Sequence, residues 1–125
     1  MKVQKITLRE IRMPLVTPFE TSFGRLTNRR MLIIQVESDG VSGWGESVAG
    51  EGPFYAPETV ETAWLILRDF LWPIIKGRDF VTAGEVWQAL DPVRGHNMAK
   101  GAVESAICLA SASQMADSTA PLAML

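Results

Sequence analysis

Residues 43–59 read Gly43-Trp44-Gly45-Glu46-Ser47-Val48-Ala49-Gly50-Glu51-Gly52-Pro53-Phe54-Tyr55-Ala56-Pro57-Glu58-Thr59, and this stretch decides the fold. Gly43 and Gly45 alternate with larger residues, so one face of the predicted strand carries no side chain and leaves room for a close neighbour. Pro57 is predicted to be the first residue of a helix, with Glu58 and Glu61 in its first turn, where the helix dipole favours negative charge. The stretch therefore predicts a strand, a loop and a helix start in succession.

The loop between this strand and this helix, Val48–Tyr55, has two interpretations. It is rich in glycine and proline and carries two aromatic residues, Phe54 and Tyr55, at its tip. A loop of this size with such a tip is a candidate lid or binding loop. Alternatively, it is a structural connection whose two rings pack into the core of the domain. The residues alone leave both interpretations open.

Length and composition indicate one globular domain. The chain has 125 residues, of which 47% are hydrophobic and 21% are charged, and its net charge is -2. It is too short for a (β/α)8 barrel, which needs about 250 residues. The near-neutral charge argues against a nucleic-acid partner, and no apolar run reaches the length of a membrane span. A single cysteine, Cys108, allows no internal disulfide and favours a cytoplasmic location.

The first part of the chain predicts one strand and one loop. Apolar residues alternate along Val3–Leu15, but their register changes halfway, which predicts a bulge near Arg9 and Glu10. The following segment, Val16–Asn28, mixes proline, glycine and hydroxyl side chains with two phenylalanines and is predicted to be a loop.

Two further strands complete the predicted sheet. Arg29–Ser38 is apolar on both faces around Met31 to Ile34, which predicts a central strand that is covered on both sides. Asp39-Gly40 is typical of a two-residue hairpin turn. The third strand, Val41–Ser47, is therefore expected to pair antiparallel with the second.

The second half of the chain predicts helices. Pro57–Leu71 has apolar residues on more than one side, and Trp72-Pro73 is expected to end or kink this helix. A short helix is predicted over residues 83–90, and Asn97 is the predicted N-cap of a third helix. No element is predicted for residues 110–125. Strands followed by helices indicate an α+β domain, a three-stranded antiparallel meander followed by a small helical bundle.

Catalytic residue patterns are absent from the sequence. His96 is the only histidine and is expected to have a structural role at a helix entry. Cys108 is expected to be a small buried apolar residue. Glu46, Glu51 and Glu58 would be separated by strand, loop and helix, and they show no metal-ligand spacing. The chain alone is therefore expected to be inactive and to hold no metal.

Five segments, taken together and in order, resemble the N-terminal capping domain of the enolase superfamily. They are most similar to the o-succinylbenzoate synthase and N-acylamino acid (N-succinylamino acid) racemase group, over about Lys2 to Ala106. The segments are Met13-Pro14-Leu15, Pro18-Phe19-Glu20-Thr21-Ser22-Phe23-Gly24, Gly43-Trp44-Gly45-Glu46, Gly52-Pro53-Phe54-Tyr55 and Arg94-Gly95-His96-Asn97-Met98-Ala99-Lys100.

The resemblance implies a function that needs a second domain. Enzymes of this family abstract a proton α to a carboxylate and stabilise the enediolate on Mg²⁺, with base lysines and metal ligands on a C-terminal barrel. It therefore implies Mg²⁺ for the complete enzyme, a small carboxylate substrate, and a barrel domain or second subunit as partner. Two family loops close over the barrel mouth and help to select the substrate. The substrate-binding residues so implied are Phe19, Thr21, Ser22, Phe23, Gly24, Gly50, Pro53, Phe54 and Tyr55.

The same resemblance divides the chain into a capping domain, residues 1–106, and a divergent tail, residues 107–125, with no barrel. In the family a Trp-Asp or Leu-Asp pair often follows here, whereas this chain has Ile107-Cys108-Leu109-Ala110. The alternative function is a free-standing, non-catalytic interaction or ligand-binding module with the same fold. In either case the apolar helix surface predicts a homo-oligomer. A barrel encoded downstream of Leu125 would favour the capping domain.

Overall fold

The computed structural model describes residues 1–22 and 24–118 and confirms the predicted α+β architecture. Three antiparallel strands in the order β1-β2-β3 precede the helices. The strands are β1 (Lys5–Thr21), β2 (Gly24–Ser38) and β3 (Val41–Ser47). The helical elements are α1 (Val60–Ile66), a π-helical turn (Leu67–Leu71), α2 (Trp72–Ile75), α3 (Ala83–Leu90) and α4 (Asn97–Ser118). Within the described ranges, no helix is both long and apolar enough to cross a membrane.

The first strand is continuous where a bulge was predicted. Pairing with β2 runs without interruption from Lys5 opposite Glu37 to Pro14 opposite Asn28, so the predicted bulge near Arg9 and Glu10 is wrong. Ile6 and Leu8 are half-buried against the core, whereas Ile11 and Leu15 are half-buried on the opposite face of the same strand. The register shift in the hairpin lies further on, between Pro14 and Phe19.

The predicted loop Val16–Asn28 is also wrong, because most of it is strand. β1 and β2 continue beyond the sheet as a two-stranded extension, residues 14–28, which we call the ribbon. Its pairs include Phe19 with Leu26 and Thr21 with Gly24. The prolines in this segment are tolerated because β1 is an edge strand and a missing N–H there breaks no central ladder.

The second strand is central, as predicted, and one of its faces is fully buried. Leu32, Ile34 and Val36 lie on that face, whereas Ile33 and Gln35 on the opposite face are half-buried. Met31 on the opposite face is also buried, so the prediction of cover on both sides is confirmed at Met31 but not along the rest of that face. The core consists of the fully buried face of β2 together with buried residues of the helices and of two segments outside them, Val3 and Phe80. The helical members are Val60, Ala63, Leu67, Leu71, Ile75, Val86, Leu90, Ala99, Ala102, Val103, Ala106 and Ile107.

The turn after β2 confirms the predicted hairpin. Ser38 pairs with Val41, and the two residues between them have positive φ angles, 47° for Asp39 and 81° for Gly40. Such a two-residue turn matches the right-handed twist of the strands it joins. The third strand has the predicted bounds, Val41–Ser47.

The glycines of β3 lie directly against the backbone of α4. A Cβ atom at Gly43 would lie 1.9 Å from the carbonyl oxygen of Ala106, and one at Gly45 would lie 2.1 Å from that of Ala102. Both distances are far below van der Waals contact, so any side chain here would push the helix away. The predicted close neighbour of the glycine face is therefore α4, which presents Ala102, Ala106 and Ala110 to it.

The first helix begins three residues later than predicted, at Val60. Thr59 is the N-cap of α1, because its side chain accepts a hydrogen bond from the Thr62 N–H and its own N–H donates to Thr62 Oγ1. This reciprocal pair satisfies two groups that a helix start leaves open. Pro57 and Glu58 therefore precede the helix, which corrects the prediction that Pro57 is its first residue.

Proline does not end this helix at position 73. The helical path continues through α2 to Ile75 and then stops before Gly77, whose φ is 72°. Pro73 has no N–H to offer the preceding turn, and the chain widens there into the π-helical turn. In that turn the Trp72 N–H bonds to the carbonyl of Leu67, five residues back.

The last helix differs from the prediction at both ends. The His96 carbonyl accepts a hydrogen bond from the Lys100 N–H, so Asn97 is the first helical residue and not the N-cap. His96 has a positive φ of 53° and marks the entry to the helix. α4 then runs unbroken across positions 106 and 107 to Ser118, where no element was predicted, while residues 119–125 lie outside the described residues.

Substituting either glycine of β3 by alanine tests the contact with α4. We expect Gly43→Ala and Gly45→Ala each to lower the free energy of unfolding by at least about 2 kcal/mol, because the added methyl group meets helix backbone. Gly101→Ala is the matched control, since its Cβ would meet no described atom within 4 Å outside its own helix. Alanine should stabilise that helical position by about 0.5–1 kcal/mol. Denaturant unfolding measures all three, and equal stabilities would contradict the close contact.

Candidate functional site

The loop after β3 is held firmly at its two ends. The Val60 N–H donates a hydrogen bond of 2.8 Å to the carbonyl of Gly50, and Gly50 forms an isolated parallel bridge with Thr59. Ala49, just before this bridge, is buried. The residues between Gly50 and Thr59 therefore form a closed loop whose ends lie side by side, which is typical of Ω-loops.

The tip of this loop carries two exposed aromatic rings. Phe54 is 77% exposed and Tyr55 is 86% exposed, which rules out the interpretation that the rings pack into the domain core. The Phe54 ring lies over Gly52, because a Cβ atom at Gly52 would lie 2.6 Å from Phe54 Cε2. Gly50 and Pro53 are exposed beside it. The loop therefore presents an apolar, aromatic surface to its surroundings.

The other predicted site residues belong to the ribbon. Phe19 is 58% exposed and lies opposite Leu26, which is also exposed. Ser22 and Gly24 are exposed at the end of the hairpin, and the backbone of Thr21 pairs with that of Gly24. Phe23 lies outside the described residues. The structure thus places the predicted residues on two separate segments, each with an exposed aromatic residue.

Ion pairs that sequence analysis missed connect the strands at the start of the ribbon to the loop and to α1. Arg12 Nη2 in β1 lies 3.4 Å from Glu51 Oε1 in the loop. Arg30 in β2 bonds Glu10 of β1 through its Nε atom, and its Nη1 atom lies 3.6 Å from Glu61 Oε1 at the start of α1. The hydrogen bond from Arg30 holds the pKa of Glu10 below its usual range, and the same bond raises the pKa of Arg30.

Glu58 links the end of the loop to α4. Its carboxylate accepts hydrogen bonds from the backbone N–H groups of Met98, at 3.0 Å, and Ala99, at 3.2 Å. These are among the donors that the start of a helix leaves unpaired, and the helix dipole favours a negative charge there. Glu58 therefore caps α4, which corrects its predicted place in the first turn of α1.

The described residues offer exposed aromatic rings on the loop and the ribbon. Within them, no group of three or more His, Cys, Asp or Glu side chains could hold a metal ion. His96 is half-buried, and its Nδ1 atom has no hydrogen-bond partner there. Cys108 is half-buried, not fully buried as predicted, and burial, with Glu104 adding to it, raises the pKa of its thiol. A thiol protonated at neutral pH is a poor nucleophile.

Comparison with known proteins identifies a family that this chain matches. The family described as mandelate racemase / muconate lactonizing enzyme, N-terminal domain, matches residues 3–122. An o-succinylbenzoate synthase from Geobacillus stearothermophilus is 41% identical over 106 residues, which are 84% of this chain and 28% of the relative. An N-succinylamino acid racemase from Amycolatopsis sp is 40% identical over 107 residues, 86% of this chain and 29% of the relative.

Solved structures agree with these sequence matches. The crystal structure of an enolase superfamily member from Listeria innocua aligns with a TM-score of 0.79 at 35% identity. That alignment covers 84% of this chain and 29% of the Listeria chain. This chain therefore spans less than a third of the length of the relatives it matches.

Neutralising and removing the Glu58 carboxylate should weaken the fold in two steps. Glu58→Gln keeps one acceptor oxygen but loses the charge, so we expect a loss of about 0.5–1 kcal/mol in the free energy of unfolding. Glu58→Ala also leaves helix N–H groups without their acceptor and should cost about 1–2 kcal/mol. Glu20→Gln, on the exposed ribbon, is the control and should change stability by less than about 0.5 kcal/mol. Urea titration compares the four proteins, and an unchanged Glu58→Ala variant would refute the cap.

Proposed function

The chain belongs to the mandelate racemase / muconate lactonizing enzyme N-terminal domain family, and we propose that it is the capping and substrate-specificity domain of an enolase-superfamily enzyme. Within the family we propose the o-succinylbenzoate synthase or N-acylamino acid racemase type, in line with the names of its relatives. The observation that carries the proposal is the loop whose base is pinned at Gly50 and Thr59 while Phe54 and Tyr55 stand exposed at its tip.

The proposed role of the chain is to bind and enclose, while the chemistry takes place on another domain. Phe54 and Tyr55, together with Phe19 of the ribbon, would cover a small carboxylate substrate and exclude water from it. Proton abstraction α to the carboxylate would be the work of a C-terminal barrel domain or a second subunit. These partners are proposed because the matched relatives are more than three times as long as the matched segment.

Magnesium is implied for the complete enzyme by the resemblance, but within the described residues no group of three or more His, Cys, Asp or Glu side chains could hold it. Four of the described carboxylates have other partners, since Glu58 caps α4 and Glu10, Glu51 and Glu61 pair with arginines. We therefore assign the Mg²⁺ ligands to the barrel, and we propose that the whole enzyme works in the cytoplasm.

A chimeric enzyme tests the capping function. Residues 1–106 of this chain would replace the matching segment of the Geobacillus stearothermophilus relative, and o-succinylbenzoate formation would be followed. We expect Phe54→Ala and Tyr55→Ala each to raise KM about tenfold, because each removes one ring's worth of apolar contact. Val81→Ala is the control, as Val81 is an exposed apolar residue at the start of α3. An active chimera whose KM is the same in all variants would contradict the proposed role of the loop.

A second proposal concerns the isolated chain, which we infer to self-associate. Leu65 is 44% exposed and Phe70 is 52% exposed, while Trp64 and Trp72 are only partly buried, so the first helix offers apolar surface for a partner. This surface is the observation that favours the alternative function, a free-standing interaction module with the same fold.

Light scattering over a hundredfold range of concentration tests self-association. The free energy gained by burying roughly 600 Å² of apolar surface per chain, at about 25 cal/mol per Å², exceeds most estimates of the free-energy cost of association. We therefore expect a mass above that of the monomer at high concentration. The double variant Leu65→Ser, Phe70→Ser should shift the curve toward monomer. A monomer mass for the wild-type chain at every concentration would refute the proposal.

A further inference from the structure

Two arginines face each other across the sheet where the ribbon begins. Arg12 of β1 and Arg30 of β2 are direct partners in the antiparallel register. Like charges in this position repel each other and destabilise the strand pair. The arrangement therefore needs negative charge from outside the two strands, or from their neighbours, to persist.

Three glutamates supply that charge from three different elements. Glu10 comes from β1, Glu51 from the loop and Glu61 from the first turn of α1. Each arginine reaches one of the two acids that lie outside the sheet, Arg12 to Glu51 and Arg30 to Glu61. The pairs also interact with one another. The charge of Arg12 helps to lower the pKa of Glu10, and the charge of Glu51 helps to raise the pKa of Arg30.

We propose that Arg12, Arg30, Glu10, Glu51 and Glu61 form an ionic clasp that couples β1 and β2, at the start of the ribbon, to the loop 48–59 and to α1. Local opening of the ribbon or of the loop then favours local opening of the other segment. The clasp deepens the proposed function, on which its consequence for substrate rests: both covers would close over a ligand in one step. The coupling itself is a property of the free chain and needs no ligand.

The geometry explains why the clasp couples the segments without locking them. Arg12 and Glu51 are both exposed, and such pairs contribute little individually. Arg30 is the central member, because its side chain is only 18% exposed and touches acids of both β1 and α1. A network of charges stabilises a structure more than a single exposed pair does. The clasp should therefore lower the population of locally open ribbon and loop severalfold without abolishing their opening.

Hydrogen exchange on the full chain tests the coupling from both sides. Coupling between two segments is reciprocal, so a change in either must loosen the other. We expect Arg12→Gln in the strand to speed amide exchange in the loop residues 52–58 about two- to fivefold. We expect Glu51→Gln in the loop to speed exchange in the ribbon by a similar factor, and Arg30→Gln to speed both.

The control variant is Arg68→Gln, which removes another arginine ion pair, that with Asp69 in the π-helical turn. It should leave both segments unchanged, and the amides of β3 and α4 should show in every variant that the fold is intact. The clasp would be overturned if Arg12→Gln left the loop unchanged, if Glu51→Gln left the ribbon unchanged, or if Arg30→Gln changed neither segment. This readout contains neither substrate nor barrel, so its failure would leave the proposed capping function standing, and a failed chimera would leave the clasp standing.

Discussion

The contact between the glycine face of β3 and the backbone of α4 is the constraint on which the rest of the structure depends. Gly43 and Gly45 leave no space for a Cβ atom before the carbonyl oxygens of Ala106 and Ala102. This contact fixes the distance between the helix axis and the sheet. Close packing then fixes the position of the whole of α4. The N-terminal end of α4 therefore arrives at a fixed place beside the loop that leaves the same strand.

That placement accounts for the division of the loop into a firm base and an exposed tip. Glu58 can cap α4 only because the start of the helix is brought next to the end of the loop. The other end is fixed by the hydrogen bond from Val60 to Gly50. Phe54 and Tyr55, between these anchors, remain exposed, so rings that would be costly to leave in water are available to a ligand or a second domain.

Sequence analysis predicted the features whose signals are local. The Asp39-Gly40 turn, the bounds of β3 and its bare glycine face follow from neighbouring residues and are all confirmed. The ribbon escapes prediction because proline and glycine are ordinarily loop signals, although an edge strand accepts them. Of the two outcomes predicted at Trp72-Pro73, an end or a kink, the end is wrong, because the helical path continues through a π-helical turn into α2.

Contacts between distant residues were beyond the reach of the sequence patterns. The Glu58 carboxylate accepts a hydrogen bond from the Met98 N–H, forty residues later in the chain. Its neighbours in the sequence predict only an acidic residue in the first turn of α1. Arg12 is similarly remote from Glu51, and the two residues lie on separate elements. One signal is present in the sequence: Arg30 lies on the same face of β2 as the apolar residues Leu32, Ile34 and Val36. A charged residue in that position predicts an ion-pair partner.

Nuclear Overhauser effects between β3 and α4 test the central constraint most directly. Strong cross-peaks should join the Hα atoms of Gly43 to the methyl group of Ala110 and those of Gly45 to that of Ala106, since the Cβ sites of these pairs lie within 3.3 Å or less. Cross-peaks of this pattern in the wild-type chain would establish both the close approach and its register. Their absence, or a set shifted by one helical turn, would contradict the account.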